Sequence, residues 1–100
     1  MSGRRYQVFM APSAHRRYKR FDSGLQQKIR EEAKKLSEDP HSYKELKGPL
    51  RGIGSYNFDY SKTQYRIAYQ ILEDKKEIEV VLVKPRGGFY QTLRRIIKSS

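Results

Sequence analysis

Residues 65–83 limit the possible folds more than any other stretch of this chain. Residues 65–72 set Tyr65, Ile67, Tyr69 and Ile71 on one face of an extended strand, and Arg66, Ala68, Gln70 and Leu72 on the other. Glu73-Asp74-Lys75-Lys76 is a polar hairpin turn, and residues 78–83 are apolar enough for a central strand. A hairpin of this kind needs further elements to cover it, and the flanking sequence supplies them. Residues 6–10 read as a first strand with Tyr6, Val8 and Met10 on one face, and residues 56–60 alternate aromatic with polar side chains. A turn at residues 61–64 joins this last strand to the next.

Two helices follow the first strand. Pro12-Ser13 stops that strand, with Ser13 as the expected N-cap, and Ala14, Tyr18 and Phe21 form the buried stripe of a short helix. Asp22-Ser23-Gly24 breaks it and can cap a second helix over residues 24–37, with Leu25, Ile29, Ala33 and Leu36 inward and Glu31/Lys35 as a solvated pair. Asp39-Pro40 ends that helix. Residues 41–55 read as a Gly/Pro-punctuated loop. After Pro85-Arg86-Gly87-Gly88, the residues Phe89, Leu93, Ile96 and Ile97 mark a C-terminal amphipathic helix. The expected fold class is α+β, a small single domain over residues 1–100 in the order β-α-α-β-β-β-α. A helical hairpin and the C-terminal helix pack on a mostly antiparallel four-stranded sheet.

Charge is distributed unevenly. The first twenty-one residues carry six cations (Arg4, Arg5, Arg16, Arg17, Lys19, Arg20) and no acid, and the last seventeen carry five (Lys84, Arg86, Arg94, Arg95, Lys98), again without an acid. Residues 22–83 hold eleven charges of each sign, so the whole net charge of +11 comes from the two ends. Such ends suit a polyanion, because each cation set on a phosphate releases condensed counterions. Zero Cys excludes disulfides and thiolate metal sites. No apolar run approaches a membrane span, and no apolar segment follows the N-terminal charges as a secretory signal requires. A cytoplasmic protein without a membrane partner is expected.

The common catalytic constellations are mostly absent from the sequence, a paired-histidine nuclease being the one left open. His15 and His41 stand alone, no clustered ligands read as a metal site, and Gly87-Gly88 is no phosphate-binding loop. The acids of the second helix read as solvated charges. What remains is a basic-aromatic set: Arg66 on a strand, Lys84 and Arg86 at a strand end, and Tyr90 just beyond. Arginines stabilise charge on a phosphodiester in flight, and RNA brings its own nucleophile in the 2′-OH. Each residue also has a plainer reading: Arg66 as a cross-strand ion pair with Asp59 or Glu79, Tyr90 as helix-to-sheet packing.

Three motifs change the balance. Leu46-Lys47-Gly48 with Leu50-Arg51-Gly52 is like an L-(K/R)-G loop before a sheet. Tyr65-Arg66-Ile67-Ala68-Tyr69-Gln70-Ile71 is close to a Y-R-(hydrophobic)2-Y strand. Val83-Lys84-Pro85-Arg86 followed by Tyr90 is like a V-G-K-R segment with a downstream Tyr. Together with the element order they resemble the RelE/ParE superfamily of bacterial and archaeal toxins over nearly the whole chain. In the RelE branch this implies an endoribonuclease that cuts messenger RNA in the A site of the small ribosomal subunit, with no metal and no cofactor, silenced by an acidic RelB-like antitoxin.

On that resemblance Arg66 and Arg86 correspond to phosphate-contacting arginines and Tyr90 to the tyrosine that stacks on the substrate base. Arg16, Arg17, Lys19, Arg20, Lys47, Arg51, Lys84, Arg94 and Arg95 are the expected RNA and ribosome contacts. The sequence departs from the pattern where the branch carries two lysines, since Asn57 and Asp59 occupy those positions. Three local candidates are therefore left for the proton of the 2′-OH: Asp59 on the same strand face as Asn57, and Lys47 and Arg51 of the preceding loop, the arginine acting only by charge. Two alternatives stay open: a gyrase-directed ParE-like toxin, and a non-enzymatic RNA- or ribosome-binding module.

Overall fold

The computed structural model describes residues 5–99, so Arg4 lies outside the described residues. Strands β1 (Gln7–Met10), β2 (Lys44–Glu45), β3 (Gly54–Tyr60), β4 (Thr63–Leu72) and β5 (Glu77–Pro85) form one sheet in the spatial order β1-β5-β4-β3-β2. The helices are α1 (Pro12–Arg20), α2 (Ser23–Glu38) and α3 (Phe89–Ser99). The apolar run of β5 lies between β4, antiparallel to it, and β1, parallel to it. Ile78, Val80, Val81, Leu82 and Val83 are all buried, as a strand covered on both faces requires.

The α+β class and the element types agree with the sequence, but the sheet has five strands rather than four. The additional strand, β2, pairs Lys44 with Ser55 and Glu45 with Gly54 inside the segment read as a loop. A two-residue strand is too short to show an alternation. Single 3-10 turns at Pro40–Ser42 and Gly48–Leu50 flank it. The same segment also feeds the core, because Leu46, Leu50 and Ile53 are buried.

Each face of the sheet has its own core. On one, Leu25, Ile29 and Leu36 of α2 meet Tyr56, Phe58, Ile67, Tyr69, Ile78, Val80 and Val83, with Ala14 of α1. On the other, Phe89 and Leu93 of α3 meet Ala68, Val81, Leu82 and the loop residues Leu46, Leu50 and Ile53. β1 ends at Met10 opposite Val80, and α1 packs along β5 beyond it. Gly54 makes room for Tyr69: a Cβ there would collide with the tyrosine ring, whose hydroxyl donates to the Pro40 carbonyl at 2.7 Å.

Two local features decide which side chains share a face. The β3–β4 reversal uses only Ser61 and Lys62, both left-handed (φ 52° and 66°). Neither is the Gly or Asn that such a turn favours, so the sequence conceals it. The four-residue turn read from residues 61–64 would put Asp59 opposite Arg66. The tighter reversal puts Asn57 there and sets Asp59 opposite Gln64. The second feature is a bulge in β5: Ala68 pairs with Leu82 and Tyr69 with Val80, leaving Val81 unmatched. Val81 and Leu82 therefore both enter the α3-side core, and Lys84 emerges on the α3 side opposite Arg66. Strict alternation from Ile78 and Val80 would have sent Lys84 to the other face.

The helix starts differ in detail from the sequence reading. Pro12 opens α1 at its first position with Ala11 as N-cap, so Ser13 lies inside the helix, and Phe21 is the C-cap. Asp22 does cap α2, accepting from the Leu25 N–H at 2.7 Å, an interaction of about 1 kcal/mol. Lys35 pairs with Glu32 at 3.4 Å rather than with Glu31. Glu32 is not a solvated acid, being only 4% exposed. It also takes Lys28 at 3.0 Å and accepts a hydrogen bond from the Tyr56 hydroxyl. Burial works against the ionised Glu32, but Tyr56, Lys28 and Lys35 outweigh it and hold the carboxyl below its usual range.

Candidate functional site

The α3 side of the sheet is covered only in part, and Arg66 lies at the margin of that cover. It faces Asn57 on one side and Lys84 on the other across the β3–β4–β5 register. Its Nε donates to Asn57 Oδ1 at 2.9 Å. The guanidinium carbon lies 5.0 Å from the centre of the Tyr90 ring and 5.5 Å from that of Phe89, within cation–π range of both. The two rings meet edge to face at 5.8 Å. Buried Phe89 anchors the start of α3, while Tyr90 remains 37% exposed. Arg66 is thus fixed at Nε and against two rings, and its terminal nitrogens bond no described residue.

Arg86 is exposed and held by Gln64. Its backbone N–H donates to the Gln64 carbonyl at 3.1 Å, and its Nη1 donates to Gln64 Oε1 at 3.3 Å. The chain then turns through Gly88, whose φ of +66° favours glycine, and the Phe89 N–H closes the turn on the Arg86 carbonyl at 3.2 Å. Lys84 Nζ donates to the Pro85 carbonyl at 2.9 Å and to the Gly87 carbonyl. Burial, and then the nearby charge of Arg17, lower the Lys84 pKa from the usual lysine value.

No ion pair involves Arg66, Lys84 or Arg86 among the described residues. The cross-strand pair of Arg66 with Asp59 or Glu79 is therefore not formed: the tight turn moves Asp59 along the strand, and Glu79 lies opposite Gln70. Asp59 pairs with no cation among the described residues, and its charge is felt by Lys28 of α2.

The remaining cations spread outward. Lys47 and Arg94 line a cavity of about 410 Å³ with Tyr90, Lys44, Pro49 and Leu50. Arg94 and Arg95 border a neighbouring apolar groove, and Arg16 lines another beside Ile96 and Ile97. Lys19 and Arg20 are exposed at the end of α1, and Arg51 is exposed in the loop. No contact joins these last three to Arg66 among the described residues. His15 stacks on Tyr18, whereas His41 sits with Tyr6 and Glu73, so the histidines do not form a pair. No group of three metal-ligating side chains gathers among the described residues. No helix among them is long and apolar enough to cross a membrane.

Residues 8–94, which carry the whole of this site, match the family described as ParE-like toxin of type II bacterial toxin-antitoxin system. The chain belongs to that family. Its fold is that of solved RelE toxins. The RelBE2 toxin-antitoxin complex from Mycobacterium tuberculosis contains a chain 25% identical, with a TM-score of 0.72, over 82% of this chain and 99% of that one. A mutant of the E. coli toxin RelE in the free state gives a TM-score of 0.73 at 17% identity, over 95% and 97%. The archaeal RelE-RelB complex from Pyrococcus horikoshii gives 0.58 at 20% identity, over 82% and 96%. No curated protein matches the sequence at a significant level.

Within this family member, three site residues escape a sequence reading. Phe89 reads as core alone, and Gln64 as part of a turn. Asn57 reads as the loss of a lysine. The two-residue reversal at Ser61-Lys62 is the signal that sets Asn57 against Arg66, but its residue types disguise it.

Proposed function

We propose that this chain is the toxin of a toxin-antitoxin pair and a metal-independent endoribonuclease, cleaving messenger RNA in the A site of the ribosome in the cytoplasm. The supporting observation is the cluster of Arg66, Lys84 and Arg86 beside Tyr90, three cations gathered on one face with no carboxylate paired to them among the described residues. In this reading Tyr90 stacks on a base, and Arg66 and Arg86 grip the non-bridging oxygens of the scissile phosphate. The 2′-hydroxyl, aligned by these contacts, attacks the adjacent phosphorus and gives up its proton. The bond to the 5′-oxygen breaks, leaving a cyclic phosphate and a 5′-hydroxyl.

Lys84, its pKa lowered toward the working range, supplies the proton to the departing 5′-oxygen. Asp59, on the α3-side face of β3 and paired with no cation among the described residues, takes the 2′-hydroxyl proton. Positioning and charge stabilisation carry most of the rate, so Asp59→Asn lowers it less than Arg66→Ala does. Arg16, Arg17, Lys19, Arg20, Lys47, Arg51, Arg94 and Arg95 supply the wider contacts to RNA and the small subunit. An acidic RelB-like antitoxin silences the site by covering Arg66 and Arg86 or by displacing α3, a reading supported by the RelB-bound complexes among similar folds.

A gyrase-directed toxin is the second reading, favoured by Asn57 and Asp59 at the positions where a RelE-type nuclease would carry lysines. Single-turnover cleavage of a defined message on programmed ribosomes, run beside a gyrase supercoiling assay, separates the two. Cleavage without gyrase inhibition is the expected result. Gyrase inhibition with an intact message overturns it.

A further inference from the structure

We propose that Asn57 and Gln64 are positioning residues whose carboxamide oxygens aim Arg66 and Arg86 at RNA phosphates while leaving both guanidinium charges unneutralised. The inference rests on the phosphodiester reading of the site. Each arginine meets one amide of the β3–β4 hairpin: Arg66 Nε on Asn57 Oδ1 at 2.9 Å, Arg86 Nη1 on Gln64 Oε1 at 3.3 Å. Lys84 is held in the same manner, by the carbonyls of Pro85 and Gly87. All three central cations are therefore held by oxygens that carry no formal charge.

The chemistry of the acceptor matters. A carboxylate in place of Asn57 would accept from the guanidinium in the same geometry, but it would cancel the charge on which a phosphate depends. The Asn57 carboxamide accepts the Arg66 Nε–H, fixes the plane of the fork and neither titrates nor neutralises. With Nε engaged and the guanidinium carbon over the Tyr90 ring, the free edge of Arg66 is its pair of terminal nitrogens, the edge that grips a phosphate bidentately. The tight turn at Ser61 and Lys62 makes this possible by setting Asn57 opposite Arg66 and moving Asp59 two residues away.

The test compares Asn57→Asp, which keeps the acceptor and adds a charge, with Asn57→Ala, which removes the acceptor and adds none. Two probes are used: an RNA oligonucleotide for single-turnover cleavage on ribosomes, and the same sequence with a 2′-deoxy nucleotide at the cut for binding over a salt series. Asn57→Asp should bind at least about tenfold more weakly. It should flatten the salt dependence by about 0.7 in log–log slope, the share of one single-strand phosphate. Asn57→Ala should keep the wild-type slope and lose rate instead, about tenfold, with little change in affinity. Gln64→Glu and Gln64→Ala should repeat the contrast more weakly, since Arg86 is more exposed.

A merely structural role for Asn57 would move both variants together through stability, which thermal melting reads separately. Equal slopes for wild type and Asn57→Asp, or equal flattening by both variants, overturn the proposal. A wild type that grips the deoxy probe but leaves the RNA intact ends the nuclease reading, and the slopes still decide the role of Asn57. A wild type that binds neither probe overturns both.

Discussion

The two faces of the sheet handle charge in opposite ways. On the α2 side, the one deeply buried charge among the described residues, Glu32, is surrounded by the Tyr56 hydroxyl and the ammonium groups of Lys28 and Lys35. On the α3 side, Arg66, Lys84 and Arg86 are oriented by an asparagine, a glutamine and backbone carbonyls. Full pairing offsets the several kcal/mol that an uncompensated buried charge would cost. Partial satisfaction, at the solvent boundary, leaves a field that an external phosphate can complete. The contrast separates residues that keep the fold from residues that act outside it.

The largest expected effect breaks the open face alone. Arg66→Ala and Arg86→Ala should each lower single-turnover cleavage on programmed ribosomes by about 100- to 1,000-fold, the usual loss when a preorganised charge stabiliser is removed. The folded fraction should hold. Tyr56→Phe should do the reverse. It deprives a buried carboxylate of a donor and should lower unfolding stability by about 1–3 kcal/mol in a denaturant titration, with cleavage per folded molecule unchanged.

Dependence on pH sharpens the same comparison. The Glu32 pKa is depressed in the folded state, so its stabilisation is fully present above the carboxyl's ordinary value of 4.5 and is lost as pH falls through the folded pKa. Glu32→Gln should remove that acid-side slope from the denaturation midpoint. On the open face, a Lys84 proton donor gives a rate that falls as pH rises through a pKa below the ordinary 10.5. Arg17→Ala should move this limb to higher pH, because it removes one cause of the lowered pKa. An unmoved limb would take the donor role from Lys84. The smallest effects belong to the periphery. Charge reversal at Arg16 or Arg94 should weaken RNA binding modestly and flatten its salt dependence, without changing the cleavage rate at saturating protein.

Much of the frame is legible in the sequence, because it rests on repeated patterns. The alternation of residues 65–72, the apolar run of β5 and the stripe Leu25, Ile29 and Leu36 each repeat a structural period several times. Arg66, Arg86 and Tyr90 are singled out by residue type together with the resemblance of their motifs, and in the fold Arg66 lies against the Tyr90 ring with its Nε on Asn57. What escapes reading depends on single events that have no period. The Ser61-Lys62 reversal sets the register of β3 against β4, and one unmatched residue, Val81, turns Lys84 onto the Arg66 face. The burial of Glu32 is equally hidden, since a Glu between lysines on an amphipathic helix looks solvated until Tyr56 is placed above it.

The central claim is that unneutralised cations on the α3 side, and not the general excess of positive charge, hold RNA. It is tested most directly by two double variants that remove the same number of charges. Arg66→Ala with Arg86→Ala empties the open face, whereas Lys34→Ala with Lys75→Ala removes two lysines that make no ion pair among the described residues. The readout is the salt dependence of binding to a non-cleavable 2′-deoxy-substituted message. The account predicts that the arginine pair flattens the log–log slope by about 0.7 for each phosphate no longer held, while the lysine pair leaves it near the wild-type value. Equal flattening by both double variants would mean that net charge alone binds the polyanion, and would contradict it.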